Sequence, residues 1–384
     1  MRILYGVVGE GMGHATRSRV VLELLLKAGH DVRVVVSGRA HDFLRTSFAG
    51  RAGIAIEAIH GLHLDYEGNA LDLSESVRKN LEAAPQGLLK NIAVYQRVAE
   101  DGFRPEVVVS DFESWAYLYG LNHRLPVVSI DNMQVINRAA HEPEVVGEGG
   151  LDPWLAKMAV KVKLPGAYHY LVTSFFFPPV CKKRTTLIPP ILRPEILAAK
   201  REPGAHVLVY QTAAANTELI PTLNKLPYQF RLYGMRRQGQ EKNVTLCDFS
   251  PTGFVDDLRT ARAVIAGGGY SLMGEAVHLH VPMLSVPIEG QFEQELNARY
   301  LTHLGYGNWT RTLTVEAVEA FLAATDQHAQ ALMRYTPRDN QMLAECVNEL
   351  LDSVAAKAPR PTRLQSANLG AYAGDALDDE PSLT

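Results

Sequence analysis

Twice in this chain a run of branched apolar residues breaks on clustered glycines and passes at once into a helical pattern. The first instance is "RILYGVVGEGMGHATRS" at 2–18 and the second is "RAVIAGGGYS" at 262–271. Short unbroken runs of Val, Ile and Leu suit strands buried on both faces, the kind found in parallel sheets covered by helices. Each run is followed by apolar residues at helical spacing, "ATRSRVVLELLLKA" (15–28), stopped by Gly29, and "YSLMGEAVHLH" (270–280). A chain built this way has few options. It must be α/β, its crossovers right-handed, and its glycine loops at the carboxyl ends of strands, where doubly wound sheets bind ligands.

The alternation runs through both halves. "DVRVVVS" (31–37), "EVVVSD" (106–111) and "LPVVSID" (125–131) read as strands, and "SWAYLYGLNHR" (114–124) as a helix. Residues 60–100 read as loop plus helices, and 142–153 as loop. "LIPPILRPE" (187–195) carries three prolines and reads as a stiff connector. Beyond it "AHVLVYQ" (205–211), "YQFRLYG" (228–234), "VTLCDF" (244–249) and "VPMLSVPI" (281–288) are strands, with helices at 217–226, 256–261 and 292–305. The expected plan is an N-terminal doubly wound domain over 1–186, a linker over 187–196, and a second such domain over 197–356 whose last helix can pack back on the first. The polar, acidic stretch 357–384 is expected to be disordered.

With 384 residues, 47% hydrophobic and 21% charged, the chain can bury two sizeable cores. A formal net charge of −4 offers no basic field for nucleic acid. Cys181, Cys247 and Cys346 are scattered and odd in number, which suits free thiols rather than disulfides or zinc. No signal-peptide core or spanning segment is visible, so a cytoplasmic location is expected. "WLAKMAVKVKLPG" (154–166), with Trp154, Lys157, Lys161 and Lys163, leaves weak attachment to the inner face of a membrane as an option, although a solvated helix face is the simpler reading.

The two loops differ. Gly267, Gly268 and Gly269, before Tyr270 and Ser271, set backbone amides at a helix start where a phosphate can approach closely; a tight turn is the plain alternative. In the first loop Gly9, Gly11 and Gly13 lead into His14. That departs twice from the dinucleotide fingerprint: His14 takes the third glycine's place, and the second strand ends in Ser37 and Gly38 rather than an acid. A nicotinamide dehydrogenase is therefore disfavoured.

"GEGMGHATRS" with "LLLKAGHDVRVVVSG", and the block 249–301 around "GFVDDLRTARAVIAGGGYSLMGEAVHLH", resemble GT-B glycosyltransferases, which face two Rossmann-like domains across a cleft. The chain is similar to the N-acetylglucosaminyltransferase of peptidoglycan lipid synthesis, and to a group of prokaryotic glycosyltransferases with "SDFE" and "SIDN" in the N-terminal domain. The resemblance implies a donor site in which Phe254 and Val255 read uracil through their backbone, Gly267 to Ser271 hold a pyrophosphate, Glu275 accepts from ribose hydroxyls, and Glu293 with Gln294 holds the sugar. Retaining relatives carry a Glu eight positions before the ribose Glu. Here that position is Gly267, which favours inversion.

His14, at a helix N-terminus beside the cleft, is the candidate base, with Asp111 as its orienting partner; relatives in plants pair His and Asp similarly. Asp111 could instead cap the helix near Ser114, and Glu113, Asp131 and Asn132 are either acceptor contacts or helix caps. No metal site is expected, since no histidine pair has ligand spacing with a carboxylate nearby. No cofactor is implied, because the nucleotide-sugar, UDP-linked by resemblance, is a substrate. The acceptor is left open among lipid, glycan and small molecule. A nucleotide-sugar epimerase or hydrolase on the same fold, and a non-catalytic nucleotide-sugar-binding protein, are the competing readings.

Overall fold

The structure is a computed structural model and describes residues 1–9, 11–61, 65–67, 70–147, 151–211, 217–248, 250–366 and 369. The stretch 212–216 after the "AHVLVYQ" run, Phe249 and the tail from 370 lie outside the described residues.

The first sheet is built from β1 (Arg2–Val7), β2 (Asp31–Val36), β3 (Ile54–Ala58) and, after a small hairpin of β4 (Asp65–Glu67) and β5 (Ala70–Asp72), β6 (Val107–Asp111), β7 (Val127–Asp131), β8 (His169–Thr173) and β9 (Thr185–Ile188). Its order is β3-β2-β1-β6-β7-β8-β9, parallel throughout. The second sheet holds β10 (Val207–Tyr210), β11 (Phe230–Tyr233), β12 (Gly239–Glu241), β13 (Val244–Cys247), β14 (Ala263–Ala266), β15 (Met283–Ser285) and β16 (Gly307–Trp309). Its order is β12-β13-β11-β10-β14-β15-β16, and only the edge strand β12 runs antiparallel. Both sheets reverse their strand order beside their first strand, between β1 and β6 and between β10 and β14, which is the doubly wound plan with its ligand crevice at that point. Register brings Val7 beside Asp111, and Tyr210 beside Ala266, so each glycine loop starts at its own crevice.

The expected boundaries shift in three places. Leu187 and Ile188, assigned to the linker, close β9 and are fully buried, because a Val/Ile/Leu run pairs better in a sheet than it crosses a gap. The crossing chain is 189–193, followed by the short helix Pro194–Leu197. Residues 358–366, expected to be disordered, lie along the first domain. Leu364 is buried there, and Arg184 N donates to Thr362 O. The stretch 142–153 is not all loop, for it holds the helix Pro143–Val146 and the start of the helix Leu151–Lys163. Strands β8, β9 and β16 escape the sequence reading because their runs are short and interrupted by Tyr, Thr and Asn.

The last helix, Gln341–Ala355, buries Leu343, Cys346, Val347, Leu350 and Leu351 against the first domain, packed with Ile3, Val21 and Leu25. Asn340 staples the two crossings, its side chain accepting from Leu192 N at 3.0 Å and donating to Leu192 O at 2.6 Å. An apolar core also spans the domain boundary: Phe176 stacks on Tyr300 at 3.8 Å, with Phe175 and Val180 in the same core. Trp154, Leu155, Met158 and Val162 face solvent from their helix. Among the described residues no helix is long and apolar enough to cross a membrane.

Candidate active site

Helix Met12–Lys27 starts at Gly11 and helix Tyr270–His278 at Gly269, neither with a side-chain cap. The two starts come together across the domains: a Cβ on Gly13 would stand 2.6 Å from Ser271 Oγ. Two meeting helix ends without side-chain caps bring their positive dipole ends together, a setting that favours a multiply charged anion.

None of the six loop glycines has a positive φ. Their requirement is space, and space divides them. A Cβ on Gly9 would lie 2.2 Å from Ser37 O, and one on Gly268 would lie 2.4 Å from Gln294 O, so both are glycine for packing. Gly11 and Gly269 meet nothing tight and stay open to the crevice. Gly267 lies between these cases, with Gln294 Oε1 3.3 Å from the place of its Cβ. The phosphate reading of the loops therefore rests on Gly11, Gly267, Gly269 and the helix amides.

His14 sits in the first turn of its helix. Its Nδ1 is 2.8 Å from Asp111 Oδ1, its side chain is 19% exposed, and its Nε2 has no hydrogen-bond partner among the described residues. Burial and the Arg17 charge lower its pKa below the ordinary value, against the opposing pull of Asp111. The ring is thus neutral at pH 7. Asp111 is fully buried at the end of β6 and does not cap the next helix. It accepts from Arg17 Nε at 2.8 Å and Ser18 Oγ at 2.9 Å. Burial alone would raise its carboxyl, but Arg17 and His14 outweigh it and hold Asp111 well below the usual carboxylate range.

The helix cap is Glu113, whose carboxylate accepts from Trp115 N and Ala116 N at 2.9 and 2.7 Å. Asp131 is spent likewise, on Gln134 N at 2.9 Å and Ser129 Oγ at 2.6 Å, and burial pushes its pKa up to about 6. Of the three candidates for acceptor contact, two are therefore engaged in local turns. The third, Asn132, donates to Glu293 Oε1 at 2.7 Å across the domain boundary.

On the donor side, Gln294 Oε1 accepts from Gly268 N at 2.9 Å, and Asn297 donates to Gly268 O at 3.1 Å and to Glu293 Oε1 at 2.6 Å. Glu275 is gripped by Arg193, Nε and Nη2 to its two oxygens at 2.7 and 2.8 Å. Burial raises its pKa, with Arg193 opposing. Phe254 and Val255 lie inside the helix Pro251–Thr260, which starts earlier than the sequence suggests. Phe254 N donates to Ser250 O at 2.8 Å and its ring packs on Tyr210 and Tyr233, so its amide is not free to read a base. Tyr270 is tied to Thr173 by a 2.9 Å hydroxyl contact. Among the described residues no cluster of three His, Cys, Asp or Glu could hold a metal.

Burial pushes Glu293 up to about 7. A carboxyl whose folded pKa exceeds its unfolded value contributes stability present below pH ~4.5 and lost as pH rises through ~7. Glu293→Gln is therefore expected to raise the melting temperature at pH 8 and leave it unchanged near pH 4, a difference of about 3 kcal/mol. Thermal melts of both proteins across this range check it.

Sequence reasoning missed Arg17, Arg193 and Asn297. Arg17 and Asn297 had a legible signal, since each stands three or four residues after a candidate, His14 or Glu293, on the same helix face. Arg193 had a weaker one, as the one cation in an apolar, proline-rich connector.

Comparison with known proteins fits this architecture. A glycosyltransferase of Methanosarcina acetivorans, itself uncharacterised, is 26% identical over 341 residues, covering 80% of this chain and 85% of its own length. Among solved structures, spinosyn forosaminyltransferase SpnP superposes with a TM-score of 0.59 at 17% identity, covering 92% of this chain and 99% of the other. A UDP-glucose:anthocyanidin 3-O-glucosyltransferase in complex with UDP gives 0.62 at 14% identity, covering 92% and 99%. Both share the GT-B fold seen here. The model of glycosyl transferase family 1 matches residues 1–325. The chain belongs to that family and is a GT-B glycosyltransferase.

Proposed function

We propose that the protein transfers a sugar from a UDP-linked donor to a hydroxyl acceptor, inverting the anomeric carbon, with His14 as the base and no metal. The observation that carries this reading is the meeting of two uncapped helix starts at Gly13 and Ser271 with the Nε2 edge of His14, unpartnered among the described residues, beside them. The acceptor O–H gives its proton to Nε2 as its oxygen attacks the anomeric carbon. The bond from that carbon to the diphosphate breaks on the opposite side, and UDP leaves with the electron pair. Helix-end amides stabilise the negative charge that grows on it. Asp111 stabilises the imidazolium so formed. A UDP base is favoured by the UDP-bound relative named above.

The test is a thermal-shift screen of nucleotides and nucleotide-sugars, followed by NMR assignment of the product's anomeric configuration with and without EDTA. UDP compounds are expected to stabilise the protein most, by about 2.7 kcal/mol at a hundredfold excess over Kd. Leading stabilisation by NAD, a retained configuration, or loss of transfer in EDTA each overturns part of the reading. Rapid epimerisation or free sugar without acceptor would favour the epimerase or hydrolase. Binding without turnover on any acceptor would favour a non-catalytic nucleotide-sugar-binding protein.

A further inference from the structure

The His14–Asp111 pair is not isolated. Arg17, only 4% exposed, lays Nε and Nη2 on the two oxygens of Asp111 and gives Nη1 to Asn132 Oδ1. Asn132 passes from there to Glu293, and Glu293 shares Asn297 with the carbonyl of Gly268. Side-chain hydrogen bonds therefore run unbroken from the imidazole in the first domain to the glycine loop of the second.

The chain contains a competition. Arg17 Nη2 also lies 2.5 Å from His14 Nδ1. A guanidinium only donates, whereas Nδ1 can either donate to Asp111 or accept from Arg17, not both. The first choice leaves Nε2 bare and able to take a proton; the second puts the proton on Nε2. The lean of Arg17 between His14 and its other anchors thus decides whether the ring can act as a base. Its other anchors are Asp111 and Asn132, and Asn132 in turn is joined to Glu293 only while the domains are together.

We propose that Arg17 is a positioning residue which, through Asn132 and Glu293, couples the tautomer of His14 to domain closure over the donor. The proposal rests on reading His14 as the base. It gives the deep burial of an arginine beside a general base a purpose that fold support alone does not need. The charged groups facing His14 are Arg17 on its own helix, Asp111 at the end of β6 and Lys163 at the end of the helix Leu151–Lys163. Facing Arg17 are Asp111, Asp131 and Tyr270, with Glu293 beyond Asn132. Arg17 and Lys163 hold the ring's proton affinity down, and Asp111 raises it.

The experiment measures the pH profile of kcat/KM, UDP affinity by calorimetry and melting temperature for wild type, Arg17→Gln, Arg17→Lys, Asn132→Ala and His14→Ala. In Arg17→Gln the acid limb of the profile is expected to move up by about one pH unit, since a contacting cation is gone and Asp111 keeps only His14 and the neutral Ser18 hydroxyl. Its kcat is expected to fall about 100-fold, with UDP affinity unchanged. Arg17→Lys keeps the charge but not the planar fork, so its limb stays near that of wild type while kcat falls. Asn132→Ala is expected to raise the KM for donor sugar and lower kcat without changing UDP affinity. An unmoved acid limb in Arg17→Gln, alongside a dead His14→Ala, overturns the proposal and leaves the base reading standing. Full transfer with a wild-type profile in His14→Ala sinks the base reading and this proposal with it. Should Arg17→Gln fail to fold, Asn132→Ala decides, and wild-type KM and kcat there overturn the coupling.

Discussion

Replacing His14 by alanine is expected to lower kcat by about 10²–10⁴-fold, the range a positioned general base supplies, while UDP still binds. The structure makes this a clean experiment. Asp111 keeps Arg17 and Ser18 when the imidazole is removed, so no buried charge is stranded. The ring itself is 19% exposed and at the edge of the crevice, so little packing is lost. Steady-state rates at saturating donor and acceptor, with calorimetric UDP binding on the same preparation, read the two effects apart. A variant with wild-type kcat would remove His14 from the chemistry and leave only the anion-binding part of the site.

Arg193→Ala is expected to be the most destabilising single change near the site. Arg193 and Glu275 are 8% and 9% exposed and paired through two short bonds. Removing the cation leaves a buried carboxylate without its partner, a loss of about 3–5 kcal/mol. Glu275, already raised by burial, would rise further and take up a proton. Differential scanning calorimetry should show a melting temperature lowered by several degrees, more at pH 8 than at pH 5. The double variant Arg193→Met with Glu275→Met should recover much of that loss, because the cost lies in the stranded charge and not in the volume. Should Arg193→Ala melt with wild type at both pH values, the pair contributes nothing and Glu275 is held by other means.

The consequences for the donor site are separate. Glu275 is expected, from the family resemblance, to accept from ribose hydroxyls, yet both its oxygens already take bonds from Arg193. A carboxylate oxygen has room for a second donor, so the two roles are compatible. On that expectation the linker arginine would pre-orient the ribose acceptor, and the connector would belong to the donor site.

The amino-acid sequence by itself determined the architecture, because it is written in local terms. Buried strands need runs of Val, Ile and Leu, helices need apolar residues at 3.6-residue spacing, and crossovers need punctuation such as Gly29 and the prolines near 190. Any chain obeying these rules twice in series folds into two doubly wound sheets. The ends of those strands then nominate His14 and Asp111, 97 residues apart in the chain and 2.8 Å apart in space. Only the tertiary structure decided what each polar residue does there. Glu113 and Asp111 stand two residues apart and look alike in the sequence, but one caps a helix and the other lies under an imidazole. Gly9, Gly11 and Gly13 look like one motif, but Gly9 is packed against Ser37 and Gly13 against Ser271, while Gly11 is open. Arg193 meets Glu275 only when the connector packs on the second domain, and Asn132 meets Glu293 only when the two domains come together. The physical reason is range: hydrophobic periodicity is a property of neighbours in the chain, whereas a buried charge takes its role from whichever group, at any sequence distance, is brought within about 3 Å of it.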